Sequence, residues 1–309
     1  MCTTFWYQSN THPKYKFVIA FNRDEIIARP YKSIHYWEAN PSILAGLDLP
    51  TGGSWFGINI TNGNIAFLTN CEFVPFSIIT GGIELSRGYL ISSFLHLKEK
   101  CTSASDFEPA LKKVLLRKKL LNGFNLVYTN IDANSAYYIN NYWEEDKIME
   151  LPGNKSYGMS NGVLTNDLYK AESNKHILVD ILSANMSLEE TKDCIFQVML
   201  NEKLAPEDKV QPKMAPKESQ YCLNESSIFV NYHKKPAVVG GFEAATLWTG
   251  LIIVENDNHM HFYERVYDHF KPTDKPITIH PILEKNGIKE KDLSKVGYKE
   301  VYLDKIISK

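Results

Sequence analysis

Residues 1–30 read MCTTFWYQSNTHPKYKFVIAFNRDEIIARP, and this stretch decides the fold. Cys2 to Tyr7 is an unbroken apolar and aromatic run, which predicts a strand. Gln8 to Lys14, with Asn10, His12 and Pro13, predicts a turn. Tyr15 to Phe21 then predicts a second strand, ending in Asn22-Arg23-Asp24-Glu25. A hairpin with arms of these lengths returns Arg23 and Asp24 toward Cys2. A small side chain at position 2 favours trimming of Met1, which leaves a thiol and an α-amine on one residue. With the amine titrating at about 7.7–8.0 and the thiol at about 8.5, the amine can act as base for its own thiol. Beside it, the Asp24 carboxylate can hold the α-ammonium and the Arg23 guanidinium can favour the thiolate. Taken alone, a cysteine after Met1 is more often a small buried hydrophobe, and Asn22 to Glu25 a solvated strand end.

Beyond this hairpin the chain is of mixed class. Strand-like runs are Trp55–Ile60, Ile65–Thr69, Phe124–Tyr128 and Ala136–Ile139, with turns at Thr61-Asn62-Gly63 and Asn130–Asn134. Helix-like runs are Ile83–Lys100, Phe107–Arg117, Leu168–Leu182 and Leu188–Lys203, the last opened by a Ser187-Leu188-Glu189-Glu190 capping box. A second β block follows at Ser227–Tyr232, Ala237–Val239, Thr246–Glu255 and His259–Tyr267. Alternating blocks of strands and helices predict sheets sandwiched between helical layers. No linker or repeat interrupts residues 1–270, so one domain is expected there. Residues 271–309 form a Lys-rich C-terminal extension with some helical character over Ile282–Val301, a candidate oligomer contact.

Composition excludes several classes. A net charge of −2 gives no electrostatic case for nucleic acid. The five cysteines (Cys2, Cys71, Cys101, Cys194, Cys222) form no CxxC pair, as expected of reduced thiols in a cytoplasmic protein. Phe17 to Phe21 is too short for a signal core or membrane span, so no integral membrane segment is expected. His259-Met260-His261 puts two imidazoles on one side of a strand, a pair that can bind a metal or an iron porphyrin. Beside the Asn256-Asp257-Asn258 turn it reads first as a solvated face, and no metal centre is expected.

Asn22 to Pro30 is joined by further blocks in a fixed order. They are Trp37, Ile43–Asp48, Gly52-Gly53-Ser54-Trp55-Phe56-Gly57-Ile58, Leu68-Thr69-Asn70, Ser86-Arg87-Gly88, Asn122–Leu126 and Tyr157–Asn161. Together with Met1-Cys2 they resemble the NRDE-motif family of transport-and-Golgi-organization proteins. The resemblance implies an α+β fold, a four-layer αββα sandwich of N-terminal nucleophile hydrolase type with the nucleophile heading a central strand. It implies catalytic roles for Cys2, Asp24, Asn70 and Asn161, the asparagines supplying an oxyanion donor and a hold on the amine. Gly52, Gly53 and Gly57 read as a tight turn with close backbone approach beneath the site.

Two departures temper the hydrolase reading. Phe21 stands where cysteine amidases of the bile-salt-hydrolase type carry an arginine, and Leu247 stands where the NRDE family usually carries one. The first functional expectation is therefore a carrier of a small amphipathic ligand, with haem or an acyl-CoA or other lipid as cargo and no required cofactor. On it Asn22, Arg23, Glu25 and Trp55 contact the ligand. The alternative is a cysteine amidohydrolase or thioesterase. The family resemblance adds association with mitochondria or Golgi.

Overall fold

The structure, a computed structural model, describes residues 2–72, 74, 86–209, 227–232, 237–239, 242–273 and 276–307. The opening hairpin forms as expected: β1 (Cys2–Gln8) pairs antiparallel with β2 (Tyr15–Ile26), with Cys2 directly opposite Arg23. Period-2 alternation then sends Phe17, Ile19, Phe21 and Arg23 to one face and Val18, Ala20, Asn22 and Asp24 to the other.

Two seven-stranded sheets result. The first sheet adds β10 (Lys155–Met159) beside β1. On the other side of β2 it adds β12 (Phe242–Glu255), β13 (His259–Pro272) and β14 (Val296–Ile306), with β11 (Ala237–Val239) paired to β12. The second runs in chain order through β3 (Tyr31–Trp37), β4 (Asn40–Asp48), β5 (Phe56–Asn59), β6 (Asn64–Asn70), β7 (Phe124–Asn130), β8 (Ser135–Asn140) and β9 (Met149–Pro152). Their inner faces share one core, in which Trp6, Phe17, Ile19, Phe21, Trp248 and Phe262 meet Phe56, Ile58, Phe67 and Tyr138. Helices α1 (Gly88–Leu95) and α2 (Ala104–Arg117) bury Leu90, Phe94, Phe107 and Leu111 against the outer face of the second sheet. The helices Lys175–Ser183 and Leu188–Met199 cover the outer face of the first, against Phe5, Val18, Ala20 and Leu251. Helix, sheet, sheet and helix stack in that order, so the α+β class and the αββα layering expected from the sequence are what the packing gives.

Several elements differ from the sequence reading. The expected strand Ser227–Tyr232 is irregular, its backbone held by Phe229 N to Asn201 O and Val230 N to Thr246 Oγ1 instead of a ladder. The helix expected over Ile83–Lys100 covers Gly88–Leu95, and residues 83–85 lie outside the described residues. Leu168–Leu182 divides into Tyr169–Glu172 and Lys175–Ser183. Over Ile282–Val301 the helical pieces are Pro281–Lys285 and a short 3-10 helix at Glu290–Asp292, and Val296–Ile306 is a strand lying along β13 from His259↔Ile306 to Asp268↔Gly297. Its Lys299, Glu300, Asp304 and Lys305 are the charges of an edge strand, which blunt pairing with other chains. The 271–309 segment thus supplies one edge of the sheet that carries Cys2.

Candidate functional site

Cys2 heads β1 at the end of the sandwich, facing inward between the sheets and 7% exposed. A cleft of about 90 Å³ opens beside it, lined by Arg23, Glu25, Arg29, Asp48, Trp55, Asn70 and Arg87 among others. Phe21 points into the inter-sheet core and stacks on Phe56 at 5.7 Å. Two residues on, the same pleat delivers Arg23 to a position opposite Cys2.

Arg23 is 3% exposed and held from several sides. Its Cζ lies 4.4 Å from the Trp55 ring centroid and 4.8 Å from that of Tyr31. Its Nη2 is 3.3 Å from Asp48 Oδ1 and 3.6 Å from Glu25 Oε2. Its Nη1 is buried and donates to no acceptor among the described residues. Asp48 is gripped bidentately by Arg29 at 2.6 and 2.7 Å and accepts from Thr51 Oγ1 at 2.6 Å. Burial alone would raise its carboxyl, but these hydrogen bonds and the two guanidinium charges outweigh burial and hold it below the usual range. Three guanidiniums therefore face two carboxylates. Arg87 makes no ion pair among the described residues and donates Nη1 to Gly123 O at 2.8 Å. It is set by the close packing expected of the glycine turn, since a Cβ on Gly53 would lie 2.6 Å from the Gly88 carbonyl carbon.

Around the Cys2 backbone the contacts are polar. Cys2 N donates to Asn161 Oδ1 at 3.2 Å, and Ser160 Oγ donates to Cys2 O at 2.9 Å. Asp167 fixes this corner by accepting from Ser160 N, Gly162 N and Leu168 N. Asn161 Nδ2 is a second buried donor with no acceptor among the described residues. Asn70, at the end of β6, lines the cleft. Asp24 sits on the helix-side pleat, where Thr246 Oγ1 donates to its Oδ1 at 2.6 Å. Burial pushes its carboxyl up against the opposing charge of Lys170. The side chain that accepts from the Cys2 nitrogen is Asn161.

Asn22 is a correction to the ligand-binding set. It lies on the helix side, donating Nδ2 to Met199 O and Ile228 O and accepting from Thr249 Oγ1, and it is not part of the cleft lining. Asn22→Ala leaves these buried partners unpaired, and a stability loss of about 3 kcal/mol is expected in urea denaturation. Ligand affinity of the folded fraction should be unchanged. Arg29, Asp48, Arg87 and Ser160 are members of the cleft and its floor that the sequence reading left without roles. Each is a polar residue inside one of the ordered blocks quoted above, which was the available signal.

Burial pushes the Cys2 thiol up to about 11. Alkylation of Cys2 in the chain retaining Met1 should therefore accelerate about tenfold per pH unit and level off only near pH 11, followed by peptide mass spectrometry. A plateau near the free-thiol value of about 8.5 would mean that the cleft activates the thiol.

Next to Arg23 lies a second, larger concavity of about 610 Å³, lined by Ile27, Tyr31, Leu247, Val266, Phe270 and Lys299 among others. Leu247 enters it from a β-bulge between Thr246 and Trp248. Tyr31 is shared, stacking on Arg23 with one side and lining this groove with the other.

His261 departs from the solvated face expected of it, being 5% exposed. No helix among the described residues is long and apolar enough to cross a membrane.

The chain is similar in sequence to several known proteins. The chain is 30% identical over 261 residues to the Homo sapiens transport and Golgi organization protein 2 homolog, covering 81% of this chain and 86% of that one. The Bos taurus homolog is 29% identical over 272 residues (86% and 92%), and the Drosophila melanogaster protein 23% over 286 residues (88% and 94%). Among solved structures, penicillin V acylase from Agrobacterium tumefaciens superposes with a TM-score of 0.40 at 12% identity, covering 84% of this chain and 82% of that one. A variant of conjugated bile acid hydrolase from Clostridium perfringens gives 0.42 at 10% identity, with 97% of each chain covered. The family model described as Transport and Golgi organisation 2 matches residues 1–269, and the chain belongs to that family.

Proposed function

We propose that this protein binds an amphipathic ligand whose acidic or carbonyl end enters the Cys2 cleft and whose apolar body lies in the groove beyond Tyr31. The observation that carries this reading is Arg23 Nη1, a buried guanidinium donor beside Cys2 that has no acceptor among the described residues. A buried polar group without a partner is rare and calls for one. An anionic or carbonyl oxygen is the natural partner for this donor and for Asn161 Nδ2. The cleft of about 90 Å³ is too small for a whole ligand, whereas the groove of about 610 Å³ falls within the usual range of roughly 300–1,000 Å³. Leu247, at the position where the family usually has arginine, adds to the apolar part of that groove with Ile27, Val266 and Phe270, while Asp268, His269, Lys271 and Lys299 line the rest. Haem and long-chain acyl-CoA both have this two-part character. A carrier of such a cargo, moving through the cytoplasm between mitochondrial and Golgi membranes, is consistent with the Golgi organization in the relatives' names.

The test is titration of the native protein with haem and with palmitoyl-CoA, read by absorption and by calorimetry. Saturable one-to-one binding of either is expected. Absence of saturation with both would remove the carrier reading.

A second reading is favoured by one contact, Cys2 N to Asn161 Oδ1. Once Met1 is removed that nitrogen is an α-amine, already held in place to take the thiol proton while Cys2 attacks a thioester or amide carbonyl. The oxyanion would then meet Asn70 or Arg23. Intact mass of the untagged protein, followed by acyl-thioester turnover in native and Cys2→Ala protein, decides it. Retention of Met1, or activity surviving in Cys2→Ala, would eliminate this nucleophile.

A further inference from the structure

At the opposite end of the first sheet, three side chains capable of binding a metal converge, with Asp304 beside His259. Glu255 closes β12, Asn258 turns the chain with a φ of 75°, and His259 and His261 follow on one face of β13. Ligand atoms of Glu255, His259 and His261 all lie within 4.8 Å of one another. The two imidazole centroids are 4.3 Å apart. Asp304, opposite His261 on β14, brings Oδ2 to 3.4 Å from His259 Nε2. Glu255 Oε2 is 2.9 Å from His261 Nε2.

We propose that Glu255, His259, His261 and Asp304 form a binding site for one divalent transition ion of the zinc class. Two imidazoles with carboxylates are a ligand set such ions accept. Metal–ligand bonds of about 2.0–2.2 Å in tetrahedral geometry separate neighbouring ligand atoms by about 3.3 Å, so Glu255 and His261 need part by only a few tenths of an ångström. The outer contact is in place as well. Tyr302 OH lies 2.9 Å from His261 Nδ1, and a proton on Nδ1 shared with Tyr302 leaves the Nε2 lone pair turned toward Glu255.

The site is independent of the Cys2 cleft. Trp248 pairs with Arg23, and Glu255 lies seven residues further along β12, about 23 Å away at ~3.3 Å per residue. Its role is structural. Asp304 and Tyr302 belong to β14, so a bound ion ties the C-terminal edge strand to the β12–β13 hairpin.

The experiment is calorimetric titration of chelator-treated full-length protein with Zn²⁺, repeated for His259→Gln, Asp304→Asn, Tyr302→Phe and Cys2→Ser. One site per chain is expected, with His259→Gln weakening it at least about tenfold, Tyr302→Phe about tenfold and Cys2→Ser not at all. The melting temperature should rise with Zn²⁺ in the native protein and not in His259→Gln. His259 is partly exposed, so its replacement leaves the fold intact, which the metal-free melting temperature checks. Equal affinity in native and His259→Gln protein, thiolate charge-transfer absorption in the Co²⁺ complex, or no saturable binding would each overturn the proposal.

Discussion

Arg23→Ala should cost the protein its ligand. Truncating one partner of a buried, hydrogen-bonded charge pair typically costs about 2–5 kcal/mol, or roughly 30- to 5,000-fold in affinity. Arg23 fits that description: 3% exposed, opposite Cys2, with Nη1 directed at no acceptor among the described residues. Stability should fall less than for most buried ions. Breaking a buried pair usually costs about 3–5 kcal/mol, but Arg29 keeps both oxygens of Asp48 satisfied, so about 2 kcal/mol is expected. Arg23→Lys separates charge from shape. It keeps the cation but loses the planar stacking between Trp55 and Tyr31, and an intermediate affinity is expected. Calorimetric titration with palmitoyl-CoA beside urea denaturation measures both effects. A variant that is destabilised yet binds normally would confine Arg23 to a structural role.

Trp248→Ala should have the largest effect on stability. Its side chain is fully buried between the sheets, 5.8 Å from Trp55, 6.1 Å from Phe56 and 6.4 Å from Phe21 by ring centroids. Emptying such a position costs about 3–5 kcal/mol, against a total of about 5–15 for a typical domain. The effect should also reach the site. Trp248 meets Trp55 edge-on and Trp55 carries Arg23, so the guanidinium loses its support in two steps. Urea denaturation should move to markedly lower midpoint, and ligand affinity of the remaining folded protein should weaken too. A stability loss below about 1 kcal/mol would mean that the inter-sheet core repacks around the gap.

The legible and illegible parts of the sequence divide along physical lines. The opening hairpin was legible because both arms are buried on both faces, giving continuous apolar runs that end in charges. Its register followed from arm length, and it sets Cys2 against Arg23. The capped helix Leu188–Met199 was legible because its capping box is local chemistry. Strands β3 and β14 were not legible because they are edges. Their polar and charged residues alternate with few buried ones, and β14 resembles a solvated charged segment until its pairing with β13 is seen.

The site divides in the same way. Cys2, Arg23, Glu25, Trp55 and Asn70 line one cleft, and Asn161 touches the Cys2 nitrogen. Asn22 and Asp24 fall on the other pleat, because a strand cannot present four consecutive side chains to one face. Arg87 comes from a segment far from the hairpin in sequence, and only the packing of Gly53 against Gly88 brings it in. His259 and His261 share a face as the strand period requires. Their carboxylate neighbours come from β12 and β14, which no spacing within His259–His261 reveals.

The most direct measurement is photo-crosslinking with a long-chain acyl-CoA carrying a diazirine on its tail, mapped by peptide mass spectrometry. Adducts are expected on the peptides containing Ile27 to Tyr31, Leu247 and Val266 to Phe270, competed by unlabelled acyl-CoA and lost in Arg23→Ala. Adducts that map elsewhere, that persist in Arg23→Ala, or that fail to form at all would contradict a ligand held at Cys2 with its body beyond Tyr31.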